Sequence, residues 1–344
     1  MQQFKALFSF LSIVIALVLC DAHAEDTQLV RIAFGSCIDN PDSRIWQTIA
    51  AEKPDLLLLL GDTIYIREDE LNDETRVRAR YARLTGNTEF ARLRKLVPTY
   101  ATWDDHDSGV DDGDSTSPFL PMLRKVFREV WPPPDMSRST ASLDFSIDTA
   151  LATILVPDGR SFRVNQPDSK QATPTLFGAE QVAWIRHELE MPRRAITILA
   201  SGTSILSSKT VRGEELRDFP TEYREIVNAS ARSPHPVIFL SGDKHYAELL
   251  KIQRQGKSLY ELSASPITAM PRMQTLPREP RRLAVSQGHA IGILEMETKQ
   301  KNEGDMQRSA MRVRFKIIDL KGREQIDHTV EDFYGERHAK HGTP

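Results

Sequence analysis

The chain has 344 residues, of which 40% are hydrophobic and 27% charged, with a formal net charge of -3. That composition excludes a disordered or fibrous chain and fits a soluble globular protein, while the length holds one large domain or two ordinary ones. A balance so close to neutral gives no sign of a nucleic-acid-binding surface.

Residues 1–24 read as an export signal. Lys5 supplies a weakly positive start, and the apolar run from Ala6 to Leu19 is too short to span a bilayer comfortably. Ala22-His23-Ala24 then offers small residues for cleavage, which sets the mature start at Glu25. With no twin arginine ahead of the run, the general export route is expected. The protein is therefore expected to be periplasmic or extracellular, with no stable membrane anchor after cleavage. Of the two cysteines, Cys20 and Cys37, only Cys37 survives cleavage, so no internal disulfide framework is possible. A core thiol, an intermolecular bridge and a metal ligand remain open for it.

Leu29 to Phe34 alternates as a strand and turns at Gly35-Ser36-Cys37. Ser43 to Lys53 has helical spacing with Ser43 as N-cap, and Pro54-Asp55 breaks it. Leu56 to Leu60 is an unbroken apolar run, the pattern of a strand buried on both faces. Strand, helix, strand make a βαβ unit. Charged helices are predicted over Asp73 to Leu84 and Thr88 to Leu96, followed by a strand from Val97 to Thr102. Phe119 to Trp131 reads as a helix closed by three prolines, and Ser142 to Val156 as one or two strands. Ala179 to Leu189 is an amphipathic helix, Ala195 to Ala200 a strand, Thr221 to Ser230 a helix and Val237 to Leu240 a strand. After Leu259 to Ser263, Pro266, Pro271, Pro277 and Pro280 mark a loop. His289 to Glu295 and Met311 to Ile318 close the pattern as strands. With no internal repeat and no low-complexity linker, one domain over residues 25–344 is expected. Its architecture is α/β, with the site at strand ends.

Three of those strand ends carry the same chemistry: Gly61-Asp62-Thr63-Ile64-Tyr65, Trp103-Asp104-Asp105-His106-Asp107 and Ser241-Gly242-Asp243-Lys244-His245. Any one alone is most simply a turn or a solvated acidic loop. Together they place carboxylates and imidazoles at strand ends of one α/β chain, the donor types of a metallohydrolase. Asp62 suits a carboxylate shared by two ions. Tyr65 is a donor only for a strongly Lewis-acidic ion such as ferric iron. Asp105 is a ligand of the second ion, with Asp104 as a fallback. Asp243 and His245 close the cage, and His106 faces the substrate as general acid.

These motifs, with Phe34-Gly35-Ser36-Cys37 ahead of them, stand in the order found in the alkaline phosphatase D (PhoD-like) family of calcineurin-type metallophosphoesterases, which the chain resembles from about Val30 to about Ile293. Phe177-Gly178-Ala179-Glu180-Gln181, Leu199 to Thr203 and Ser263-Ala264-Ser265-Pro266 are weaker echoes. The resemblance implies a four-layer α/β/β/α sandwich, two mixed β-sheets flanked by helices, and hydrolysis of phosphate esters. It implies Fe3+ at Cys37, Asp62 and Tyr65 with Ca2+ as the other metal, Asp105, Asp243 and His245 as further ligands, and His106 as the acid. Asp158-Gly159-Arg160 stands where relatives have Asp-Thr-Arg, which makes Arg160 a phosphate contact. Asp111 stands where they carry asparagine. The expected activity is a phosphodiesterase using a metal-bridging hydroxide, acting as a monomer. A phosphomonoesterase of the same fold is the alternative, and a silent calcium-binding protein built on the acidic run from Asp104 to Asp114 is the rival from another class.

Overall fold

The computed structural model describes residues 28–134, 138–165, 173–207, 215–272, 275–276, 278–303 and 306–333. The export signal predicted over residues 1–24, Cys20 included, lies outside them. No described helix is long and apolar enough to cross a membrane.

The first sheet is built from β1 (Leu29–Gly35), β2 (Leu56–Leu60), β3 (Thr99–Thr102), and the later strands β11 (Ile291–Glu303), β12 (Met306–Ile318) and β13 (Glu324–Val330). Its order is β13-β12-β11-β1-β2-β3, parallel from β1 to β3 and antiparallel elsewhere. The second sheet runs β10 (Arg282–Ser286), β8 (Ala247–Arg254), β9 (Lys257–Ser263), β7 (Val237–Ser241), β6 (Ile196–Ser201), β5 (Ala152–Val156) and β4 (Phe145–Asp148). The helices are α1 (Ile45–Ala51), α2 (Glu74–Thr85), α3 (Thr88–Leu96), α4 (Asp105–Ser108), α5 (Leu120–Val130), α6 (Ala179–Glu190) and α7 (Pro220–Arg232).

Side-chain alternation sorts these elements into four layers. In β2, Leu56, Leu58 and Leu60 face the second sheet, where they meet Ile154, Ile198, Ile238 and Leu240 in one buried cluster. Leu57 and Leu59 point the other way, onto Ile45 and Trp46 at α1, Val77 and Tyr81 of α2, Phe90 of α3 and Phe127 of α5. In the second sheet Leu155, Leu199 and Phe239 pack under Ile185 of α6 and Ile226 of α7. The unbroken Leu run is thus a strand with two apolar faces, as expected. The order is helices, sheet, sheet, helices: the four-layer sandwich.

Local differences have simple causes. Ser43 accepts the backbone N–H of Ile45 at 3.2 Å, but α1 starts at Ile45 with Arg44 at the N-cap position. The segment after β3 is a single helical turn, α4, rather than a loop, with Asp104 at its N-cap. β8, β10 and β13 were not expected: charged side chains interrupt the alternation of β8 and β13, and the five residues of β10 include no buried position; in β8, Glu248 is buried where an apolar residue would stand.

Candidate metal centre

Parallel strands end on the same edge, so the turns after β1, β2, β3, β6 and β7 converge. Gly242 N–H donates to the Gly202 carbonyl at 3.0 Å across the turns after β7 and β6. Two glycines make this approach possible. A Cβ on Gly242 would lie 2.5 Å from the Leu60 carbonyl oxygen and 2.6 Å from Ser36 Cβ. One on Gly61, whose φ is +89, would strike Asp104 Cβ at 2.4 Å.

The residues that follow are held in unusual backbone conformations. Cys37, Asp62, Asp243 and His245 all have positive φ, between 50 and 64. A non-glycine residue there costs about 1–3 kcal/mol, and such strain collects at functional sites. Hydrogen bonds fix the turns: Ser36 Oγ accepts Asp243 N–H at 3.0 Å and Ser265 Oγ accepts His245 N–H at 3.1 Å.

Two donor groups result. Cys37 Sγ, an Asp62 oxygen and a His245 ring nitrogen lie within 4.8 Å of one another, and so do donors of Asp62, Asp105 and His106. Asp62 is common to both. Tyr65 OH lies 3.4 Å from His245 Nε2, which places it at the first group. His245 Nδ1 lies 2.6 Å from the Met270 carbonyl oxygen and donates to it, so Nε2 presents a lone pair inward. Asp243 borders this group: its carbonyl oxygen is 3.8 Å from Cys37 Sγ, and its carboxylate is near enough to act on both Cys37 and Asp62. The His106 ring packs against Tyr65 with centroids 4.3 Å apart and planes tilted by 38°, and its Nε2 is 3.8 Å from the carboxylate of the exposed Asp111.

The electrostatics identify what such a site fits. Burial, with Asp105, Asp104, Asp107 and Asp243 around it, pushes the Asp62 carboxyl well above the usual range. Burial and then Asp62 and Asp243 push the Cys37 thiol up; burial and then Cys37 push up the Tyr65 phenol. Burial alone would raise Asp105 too, but the Arg160 guanidinium and His106 outweigh it and hold it at about 2. So dense a buried set of acids is unfavourable by itself and favourable around cations, which reverse each of these shifts. The donors present therefore fit metal ions: thiol, phenol, imidazole and carboxylate in one group, mostly oxygen in the other.

The profile of the PhoD-like phosphatase family matches residues 138–332. The chain belongs to this family. A PhoD-like protein is a metallophosphoesterase, a hydrolase of phosphate esters, and the sandwich described above is its fold. Among solved structures the chain is similar to that of PhoD, at 17% identity and a TM-score of 0.64, covering 88% of this chain and 72% of the other. It is also similar to a purple acid phosphatase from yellow lupin (Lupinus luteus) seeds, at 10% identity and a TM-score of 0.58, covering 91% of this chain and 55% of the other. Both likenesses concern the fold. A search of curated proteins returns no match.

The structure places Arg160 away from solvent and against a carboxylate. Expected to touch phosphate, it is 1% exposed, and its guanidinium holds Asp104 through Nε at 2.6 Å and Nη2 at 2.5 Å. Its Nη1 donates to the Gly113 carbonyl at 3.2 Å. It anchors the Asp-Asp-His segment from below. Asp104 Oδ1 is the acceptor in that pair, and Asp104 is not among the residues of either donor group.

Asp107 is the residue whose role sequence left unassigned. Its carboxylate accepts from the N–H and hydroxyl of Thr63, the N–H of Ile64 and of Asp104, and the Tyr81 hydroxyl, all between 2.5 and 3.3 Å. It ties the Gly-Asp turn after β2 to the turn after β3. Asp107→Ala leaves five buried donors without an acceptor and is expected to cost at least about 3 kcal/mol, read by thermal melting. Burial pushes this carboxyl up to about 6 against those hydrogen bonds. The folded state then keeps its proton above the unfolded value of about 4, so its contribution falls as pH rises from about 4 to about 6. The variant should lack that component of the pH–stability curve.

Proposed function

We propose that the exported, mature protein, one domain over residues 25–344, hydrolyses phosphodiesters in preference to monoesters. The observation that carries the metal-dependent part is Asp62, shared between two donor groups that each lie within 4.8 Å. Fe3+ is assigned to Cys37, Asp62, Tyr65 and His245, because thiolate and phenolate suit a strongly Lewis-acidic ion, and Asp243 borders that group. Ca2+ is assigned to the oxygen-rich group around Asp62 and Asp105. When bound, such ions supply Lewis acidity at phosphoryl oxygens and a nucleophile from water at neutral pH.

His106 is the general acid in this reading: it donates from its ring to the departing oxygen, and the Tyr65 ring against it fixes its plane. Asp111 supports the diester preference. Its exposed carboxylate, 3.8 Å from His106 Nε2, repels a dianionic monoester more than a monoanionic diester. A second reading has its own observation, since His106 lies inside the second donor group and its ring nitrogen can serve as a ligand there.

Hydrolysis of a chromogenic diester and its monoester, after supplying iron and calcium and again after chelation, tests the whole. Metal-dependent turnover favouring the diester is expected; equal or greater monoester turnover sinks the preference. Asp111→Asn should raise monoester kcat/KM by about threefold to tenfold and move the diester little. His106→Ala should lose turnover and keep its metal content. Loss of bound metal along with turnover makes His106 a ligand. A monomer is expected by gel filtration, and a mature N-terminus at Glu25 by mass spectrometry of the exported protein.

A further inference from the structure

Most arginines of the described chain are held by carboxylates, as Arg31 is by Glu295, Arg80 by Glu70 and Arg314 by Asp327. Four exposed ones gathered around α7 and the β8–β9 hairpin form no ion pair among the described residues: Arg217, Arg224, Arg232 and Arg254. Their contacts leave the charge uncompensated. The Arg217 guanidinium lies over the Tyr223 ring at 5.0 Å, Arg224 donates to the Pro220 carbonyl at 3.2 Å, and Arg254 donates to Asn228 at 2.9 Å.

These side chains line two depressions, of about 420 and about 340 Å³, which share Arg224 and Asn228 and so adjoin. The acid lining the first, Glu225, is matched by Arg186 at 3.6 Å, and Arg281 in the second is matched by Glu279. The groove therefore keeps an excess of positive charge on a chain whose net charge is -3. It lies apart from the metal centre: β8 starts two residues beyond His245 and ends at Arg254, a strand length of roughly 25 Å away.

We propose that this groove binds an extended phosphate-bearing polyanion. Guanidinium forks match phosphate oxygens, and four of them spread over two joined depressions match charges repeated along a chain rather than one small ion. A concave groove admits such a chain and excludes a flat bilayer surface. The inference rests on these arginines alone and is independent of the metal chemistry and of the diester preference.

The test uses the mature protein and fluorescent long-chain inorganic polyphosphate, with anisotropy read from about 50 to about 200 mM salt. Saturable binding is expected, with affinity falling linearly on logarithmic axes at a slope of about -2 to -3. Arg217→Gln/Arg224→Gln/Arg254→Gln should weaken binding at least about tenfold and reduce the slope by about 2, with hydrolysis of a small ester unchanged. The matching triple lysine variant should bind within a few-fold of the parent. Absence of saturable binding overturns the proposal, as does binding indifferent to the glutamine triple, which would place the chain at the metal centre. Loss of binding in the lysine triple equal to that in the glutamine triple also overturns it, since charge would not be the cause. Equal affinity for polyglutamate removes the phosphate assignment, and tighter arginine-dependent binding to phosphatidylglycerol vesicles replaces the chain by a membrane surface.

Discussion

An Asp62→Asn enzyme is expected to lose at least about three orders of magnitude in ester turnover while keeping its fold. Asp62 is the one donor common to both groups, and asparagine keeps its shape without its charge. The structure also fixes an effect of opposite sign on stability. Asp62 is buried beside Asp104, Asp105, Asp107 and Asp243, all of which disfavour its anion. Removing that charge relieves the cluster when no cation is present, so the chelated variant should melt at or above chelated wild type. Supplying metal should then raise the melting temperature of wild type by more than that of the variant. Metal content, kcat/KM on a chromogenic ester and melting with and without chelator separate the two effects. Wild-type turnover in the variant would refute the role of Asp62 as shared ligand.

Such a division between stability and function explains which parts were readable from sequence. Leu56 to Leu60 could be read as a strand with two apolar faces because burial on both sides leaves no polar position. The turns at Cys37, Asp62, Asp105 and His245 were readable only in conjunction, each motif alone being an ordinary turn. The left-handed backbone at Cys37, Asp62, Asp243 and His245 left no trace, since nothing in those residue types demands positive φ; the surrounding turns impose it. β8 and β10 were hidden for a related reason. Glu248 is buried in β8 because Arg282 of β10 reaches it at 2.7 Å and Lys244 at 3.3 Å, a compensation visible only after the strands have paired. The arginine groove escaped notice because net charge averages over the whole surface, whereas binding depends on where charge is left uncompensated.

Arg160 shows the same limit in reverse, and it carries the second large effect. An arginine after Pro-Asp-Gly at a strand end has the chemistry of a phosphate contact; its actual partner, Asp104, is 56 positions away. The two readings predict opposite phenotypes. A phosphate contact replaced by leucine raises KM for a small ester and leaves stability nearly unchanged. The buried pair predicts the reverse: Arg160→Leu strands an anionic Asp104, 2% exposed, beside Asp62 and should cost about 3–5 kcal/mol of stability. The Asp105 carboxyl, held at about 2 chiefly by the guanidinium, should rise in the same variant. KM per folded molecule should stay within a few-fold of wild type. Adding Asp104→Asn removes the stranded charge and should recover part of the loss, which a phosphate contact cannot do. A raised KM with an unaltered melting temperature would return Arg160 to the substrate; a lowered melting temperature, partly rescued by Asp104→Asn, fixes it as the strut beneath the Asp-Asp-His turn.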